Sequence, residues 1–376
     1  MAFDWSRLSP GPPPEVCEVT VFGPGFGECI VVHLGGGRWC IVDSCVDASS
    51  DSRLPVAERY LRGIGVDMRT SVSHVFATHW HDDHVRGLSR LVEECANAQF
   101  CCADVLTNPD FAKFVACLGT GSVATEGAKI SEFRNIFRIL SVGGRSLKWT
   151  GPGRRIANIQ VPPVFGCSIY SLSPSDVEKT RFLENLVAQT PQPFEAKRAA
   201  ASPDPNLAAT VIAMDFEHFS LLLGADMEIH HDTRRGWTAA IAEAATLALP
   251  KAELFKVPHH GSATGHHPQI WTDLLKDRPA SVVTPFNKLR EGSKLPTAAD
   301  LERLASLSGR LYLSASRHNL RGPPKDAVVK RALAESGVQL RSLEVPVGAV
   351  RLRRRHGPSE LWSAEVFEPA QELACS

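Results

Sequence analysis

The chain carries no net charge, because 41 Lys and Arg are balanced by 41 Asp and Glu among 376 residues. Without an excess of positive charge there is no general attraction for polyanions, so any nucleic acid would have to be held by local groups. Long apolar runs are missing too. The stretch 219–223 and others like it stop far short of the ~18 residues that a membrane-spanning helix needs, and no membrane association is expected. The first residues, Met1-Ala2-Phe3-Asp4-Trp5-Ser6-Arg7, show no basic head followed by an apolar core, which sets the expectation of a cytoplasmic location. Ten cysteines are present but none is paired as Cys-x-x-Cys, which removes zinc ribbons and thioredoxin-type motifs. Scattered as they are, Cys101 and Cys102 included, they are expected to be small buried hydrophobes. A Gly-x-Ser-x-Gly elbow and a Gly-x-x-x-x-Gly-Lys-Ser/Thr loop are also absent, which argues against a serine hydrolase and an NTPase.

What is present alternates strands with helices. After a Pro/Gly-rich lead at 9–14, β-branched runs at 16–21, 30–32 and 40–42 around Gly35-Gly36-Gly37 predict three strands with a glycine hairpin. A helix is predicted over 55–62 and a buried strand over 73–77, followed by a histidine-rich turn and helical spacing over 85–95. The stretch 108–159 has helical character only over 128–140, and 190–205, with four prolines, reads as a surface excursion. Strands at 208–216 and 219–223 flank a Glu217-His218 turn, and a strand at 254–257 leads into Pro258-His259-His260-Gly261-Ser262. A helix at 268–275, strand at 280–284, helix at 297–307, strand at 310–314, helix at 325–336 and strands within 338–352 complete a layered α/β pattern.

Histidine is the informative residue: there are 14, unevenly placed. Thr78-His79-Trp80-His81-Asp82-Asp83-His84 puts three imidazoles and two carboxylates within six residues at a strand end. Imidazole nitrogen and carboxylate oxygen are the donors preferred by zinc and similar divalent metals. In an extended turn His79 and His81 point the same way and can share one metal, while Asp83 and His84 project toward a second.

The pattern His-x-His-x-Asp-His resembles that of the metallo-β-lactamase-fold hydrolases. Further ordered matches are similar to the soluble hydrolase domain of the bacterial DNA-uptake (competence) ComEC proteins and the phosphodiesterases related to it. They are Gly25-Phe26-Gly27-Glu28-Cys29-Ile30 followed by Ile41-Val42-Asp43, then Leu222-Leu223-Gly224-Ala225-Asp226, then Lys256-Val257-Pro258-His259-His260-Gly261-Ser262. The resemblance covers about residues 16–350. It implies a four-layer αββα fold, with two mixed β-sheets sandwiched between helices, preceded by an extension at 1–15 and followed by a tail at 351–376. It also implies that an inserted region at about 108–206 covers the site and shapes specificity. By the same resemblance His79 and His81 hold a first divalent ion, Asp83 and His84 a second, and Asp226 bridges them. His260 completes the second site with His259 beside it to contact phosphate or protonate the leaving group; the reverse order of these two stays open. Asp83 and His259 are the catalytic candidates, and Asp43 is the carboxylate that orients a ligand imidazole.

One departure bears on the metals. Many members of the superfamily carry another ligand histidine before the bridging aspartate, yet none lies between His84 and His218. His218 falls in a hairpin turn, and Asn206 is the position that matches the polar residue of the competence-type relatives. Fewer nitrogen ligands lean the first ion from zinc toward manganese or magnesium. His33 and His74 read as satisfied residues of apolar strands, and Glu228, His230 and His231 as exposed helix residues. His266 and His267 lie close enough behind the Gly261-Ser262 turn to line the pocket. The run Arg351-Leu352-Arg353-Arg354-Arg355-His356 reads as a solvated strand end. The expected activity is hydrolysis of a phosphodiester, in nucleic acid or a small nucleotide, by a hydroxide held between two ions. Hydrolysis of a small carboxyl ester, thioester or lactam predicts the missing histidine, and a catalytically decayed interaction module is opposed by the complete 79–84 run.

Overall fold

The computed structural model describes residues 3–24, 27–47, 53–119, 128–161, 165–189, 204–287, 294–316 and 346–375. Two eight-stranded sheets form where β-branched and aromatic residues run together. In chain order the strands are β1 (Val16–Gly23), β2 (Cys29–Gly35), β3 (Arg38–Val42), β4 (Val72–Phe76), β5 (Gln99–Ala103), β6 (Leu147–Thr150), β7 (Arg154–Val161), β8 (Phe165–Ser171), β9 (Ile212–Asp215), β10 (Ser220–Leu223), β11 (Ala252–Lys256) and β12 (Leu275–Val283). A small hairpin, β13 (Phe286–Asn287) and β14 (Lys294–Leu295), precedes β15 (Arg310–Leu313), β16 (Gly348–Arg355), β17 (Ser363–Phe367) and β18 (Gln371–Leu373). The first sheet runs β17-β16-β1-β2-β3-β4-β5-β6 and the second β18-β15-β12-β11-β10-β9-β8-β7. Both are mixed: β3 to β6 are parallel in the first, and β10, β11, β12 and β15 in the second.

The helices are α1 (Val56–Gly63), α2 (Met68–Ser71), α3 (Asp82–Val85), α4 (Leu88–Glu94), α5 (Pro109–Gly119), α6 (Ala128–Val142), α7 (Asp176–Gln189), α8 (Gly236–Thr246) and α9 (Ala298–Leu307). Three apolar clusters account for the layering, because each helix or sheet face must bury its apolar side against another element. Val19, Val21, Ile30, Val32 and Val42 of the first sheet meet Ile169, Ile212, Met214, Leu221 and Leu254 of the second. Outside the first sheet, Val31, Ile41 and Val75 pack against Tyr60, Leu91, Phe133 and Phe182 of helices. Outside the second, Leu222, Phe255 and Leu311 pack against Trp237, Ile241 and Leu304. The order is therefore helix, sheet, sheet, helix. Strands β1, β2 and β10 are buried along their whole length, which is why they read as continuous apolar runs rather than alternating ones.

Several expectations need correction. Residues beyond 350 are not a tail: β16 crosses that boundary, pairing Val16 to Gly23 with Arg355 to Gly348, and β17 and β18 extend the two sheets. The basic run is not solvated as a whole. Arg351 and Arg354 are buried, Arg351 pairs with Glu365 at 2.7 Å and Arg353 with Glu18 at 2.8 Å. Arginine stems bury readily when their head groups find carboxylates, which a charge count cannot show. The extension at 1–15 docks through buried Leu8, whose carbonyl accepts from Arg351 Nη1 at 2.6 Å. The helix expected at 268–275 is a single wide turn, Ile270–Leu274, and that at 325–336 lies outside the described residues. No helix among the described residues is long and apolar enough to cross a membrane. Cys17, Cys29, Cys40, Cys45, Cys95, Cys101, Cys102 and Cys167 are free and buried, and Cys375 is free and part exposed.

Candidate metal centre

Parallel strands end together, so their carboxyl ends gather loops at one rim. Here Asp43 follows β3, the 78–84 run follows β4, Asp226 follows β10 and the His259-His260 pair follows β11. Asp43, Ala225, His259 and His260 all adopt positive φ, at 60°, 47°, 45° and 53°. For residues with a Cβ this costs about 1–3 kcal/mol each, so strain is concentrated where four strands meet. Backbone hydrogen bonds fix the run from both sides: Glu28 N donates to Asp83 O at 2.9 Å, Ser44 N to His84 O at 2.8 Å and Thr210 N to Thr78 O at 3.0 Å.

Alternation along the extended run sends Trp80 away from His79 and His81. Trp80 is fully buried and meets Phe111, Phe114 and Phe182 edge-on at 5.0, 6.1 and 6.1 Å. Asp82 Oδ1 accepts from Lys129 N at 2.8 Å, at the start of α6. The helices of the inserted region are therefore pinned to the back of the histidine run.

The donor atoms converge in two groups that share Asp226. Asp83, His84, Asp226 and His260 form one and His79, His81 and Asp226 the other, with the donor atoms of each within 4.8 Å of one another. His81 Nδ1 lies 3.1 Å from Asp83 Oδ1, His260 Nε2 lies 3.2 Å from Asp83 Oδ2, and His84 Nε2 is 3.5 Å from Asp226 Oδ1. His79 Nε2 is 3.8 Å from Asp226 Oδ2.

The other ring nitrogens settle which atom faces inward. Asp43 can only accept, so the Thr78 hydroxyl donates to Asp43 Oδ2 at 2.6 Å and its oxygen accepts from His79 Nδ1 at 3.0 Å. His84 Nδ1 donates to the same Asp43 oxygen at 2.8 Å, and His260 Nδ1 to the Thr284 carbonyl at 2.9 Å. Each of these imidazoles thus has Nδ1 engaged and turns Nε2 toward the cluster. A single buried carboxylate, Asp43, sets two of the three.

These residues fit divalent cations. His79 Nε2, His81 Nδ1, both Asp83 oxygens, His84 Nε2, Asp226 Oδ1 and His260 Nε2 are buried without a hydrogen-bond partner. One such atom costs about 1–3 kcal/mol, so seven around one point need a counter-charge. Burial disfavours a charged imidazole at His84, but Asp226, Asp83, Asp43 and Glu28 outweigh it and hold its pKa well above the ordinary range. At Asp226 burial is likewise overcome by His260 and His84, which hold its carboxyl well below the usual value. A third grouping, Glu28, Asp43 and His84, is satisfied internally, since Asp43 bonds His84 and Glu28 pairs with buried Lys256.

His259 stands outside both groups and is part exposed. Its Nδ1 lies 3.0 Å from Glu228 Oε1 and 2.9 Å from Thr264 Oγ1, which leaves Nε2 available. Glu228 is therefore not an exposed helix residue: it sits in the loop before α8, half-buried. Burial would raise its pKa, but hydrogen bonds from His259, Thr264 and Asn206 hold it low. The one signal in the sequence was its place two residues past Asp226. The Asn206 side chain bonds Glu228, and its Oδ1 is buried without a partner. His230 and His231 lie in the same loop, not on a helix. His218 is exposed in the β9–β10 turn. His33 is satisfied by Val16 O and Gly37 N, and His74 contacts Ser73 Oγ. His266 accepts from Trp271 and His267 from Gln269 N, so neither belongs to the donor groups.

The two mixed sheets between helices, with this rim, are the α/β metallo-β-lactamase fold. The profile of the Metallo-beta-lactamase superfamily matches residues 22–111, a span that contains Asp43 and the whole histidine run. Among solved structures, the chain is similar to the metallo-β-lactamase fold protein YhfI from Bacillus subtilis, at 12% identity over 64% of this chain and 70% of that one, with a TM-score of 0.33. Zn(2+)-bound PqqB from Methylobacterium extorquens is 12% identical over 61% of this chain and 58% of its own, TM-score 0.30. MEM-A1, a subclass B3 metallo-β-lactamase from a soil metagenome library, is 12% identical over 69% of this chain and 83% of its own, TM-score 0.33. A comparison with curated proteins finds no match.

Proposed function

We propose that the protein is a metal-dependent hydrolase of phosphodiester bonds. The observation that carries this reading is the pair of donor groups sharing Asp226, with the outer nitrogen of His79, His84 and His260 already held. His79, His81 and Asp226 would hold one divalent ion, and Asp83, His84, His260 and Asp226 the other. Zinc, manganese and magnesium are the candidates for both positions. When bound, such ions acidify water and draw off charge from a phosphoryl oxygen.

The chain's own groups supply the rest. Asp43 and Thr78 keep His79 and His84 in the tautomer that points Nε2 inward, so the donors need no rearrangement. Glu228 and Thr264 hold His259 through Nδ1, leaving Nε2 to touch a phosphate oxygen or pass a proton to the leaving oxygen. The absence of a histidine between His84 and His218, with Asn206 held instead against Glu228, supports this reading over hydrolysis of a lactam or thioester.

Purified protein supplied with manganese, zinc or magnesium is expected to cleave bis-p-nitrophenyl phosphate, and His81→Ala or Asp226→Ala to lose that activity at least ~100-fold. Hydrolysis of nitrocefin or a thioester, with none of any phosphodiester, would overturn the reading. Unaltered activity in both variants would overturn the assignment of the centre.

A further inference from the structure

Beyond the donor groups the loop from Asp226 to α8 opens a second cleft. Ile229, His230, His231, Asp232 and Arg235 line it together with Arg181 of α7, around a cavity of about 400 Å³. Two guanidinium groups and two imidazoles face one carboxylate there, and that carboxylate is engaged by Arg234 at 2.9 Å. Arg235 touches His230 through Nη2 at 3.4 Å, while its Nε is buried without a partner. Glu178, beneath the cleft, is occupied by Gly236 N at 2.9 Å and Ser175 N at 2.9 Å. Glu228, one residue before the cleft wall, is turned to His259. Glu178 Oε1 lies 3.8 Å from His230 Nε2 and Arg181 acts on Asp232, so what the cleft offers a ligand is the unpartnered Nε of Arg235 beside exposed Arg181.

The cleft is close to the metal centre. Ile229 follows Asp226 by three residues, which bounds their separation at about 10 Å even for a fully extended chain. Ile229 N also donates to the Thr264 carbonyl at 2.7 Å, and the Thr264 hydroxyl holds His259.

We infer that this cleft binds a phosphate of the substrate beyond the one being cleaved. Arginine suits the task because its planar fork matches phosphate oxygens in pairs. The inference rests on the phosphodiester reading above and sharpens it: the substrate carries several phosphates, as an oligonucleotide or a nucleotide with a phosphate chain does. It also gives the inserted region a part in recognition, through Arg181.

The test is fluorescence anisotropy of a fluorescein-labelled oligothymidylate with phosphorothioate linkages, which resist cleavage, on the metal-loaded chain. Wild-type protein is compared with Arg181→Glu, at an exposed helix position, and Arg235→Gln. Binding is expected to weaken with salt and to fall at least ~5-fold in one or both variants. Tripolyphosphate, added as competitor, separates the sources: displacement at a lower concentration than unlabelled oligonucleotide assigns the cleft to a nucleotide's phosphate chain, and the opposite order to a nucleic-acid backbone. No binding by wild-type protein, or equal binding by all three, overturns the inference. Turnover of bis-p-nitrophenyl phosphate by the wild type reads the parent activity separately, since a small diester has no further phosphate to place.

Discussion

Two histidine–carboxylate pairs stand at the same rim and differ mainly in burial. His84 and Asp43 are both fully buried, at 2.8 Å, and the free nitrogen of His84 faces two more carboxylates. His259 and Glu228 are each about a fifth exposed, at 3.0 Å, and the free nitrogen of His259 faces no donor group. The same two-residue chemistry is thus set for opposite duties. On the proposed reading, the imidazole removed from water and surrounded by oxygen donors would hold a metal ion, and the one left at the surface of the same rim would exchange protons with a substrate.

The sharpest way to break this contrast is to remove each imidazole. His84→Ala is expected to lower phosphodiester hydrolysis by ~1,000-fold or more for every substrate, because the ion is lost. His259→Ala is expected to lose ~100-fold on a diester with a poor alkoxide leaving group and less than ~10-fold on a p-nitrophenyl ester, whose leaving group needs no proton. Equal losses on both substrates would mean that His259 holds the centre together rather than serving the leaving group. A smaller effect tests the buttress: Asp43→Asn should weaken metal binding by ~10–100-fold, read by chelator competition, with activity recovered at high metal. Unchanged affinity would remove Asp43 from the account.

The least effect lies away from the rim. Burial, helped by Lys148, lowers the pKa of His74 to about 4, so the fold holds it neutral while the unfolded chain protonates it near its ordinary value. Between about pH 6.5 and pH 4 the unfolded chain therefore binds more protons, and stability falls as pH falls through that window. His74→Gln should show a smaller drop in melting temperature between neutral and acid pH than the wild type. An identical drop would show that His74 does not contribute.

The same comparison explains what could be read from residues alone. The His79–His84 run was legible because its donors are contiguous and have no packing use. Asp226 and the His259-His260 pair were legible only through a resemblance, since single residues at separate strand ends leave no local pattern. Glu228 was misread because a carboxylate in a polar stretch looks solvated until His259 is folded against it. Likewise α5 is not anticipated, although Phe111, Phe114 and Val115 stand at helical spacing and are buried along one face while Asp110 and Lys113 are exposed. The arginines of β16 failed for the opposite reason, being charged yet buried beside glutamates contributed by β1 and β17. In the first sheet β1, β2 and β3 are readable because their β-branched runs are bounded by glycine, whereas β5, β6 and β17 are not anticipated.

Metal content per chain, measured after exhaustive dialysis against trace manganese or zinc, tests the central contrast most directly. Two ions are expected in the wild type and in His259→Ala, and at most one in His84→Ala. Equal metal content in all three proteins, or loss in His259→Ala with retention in His84→Ala, would contradict the division of the rim into a buried metal-holding pair and an open proton-handling one.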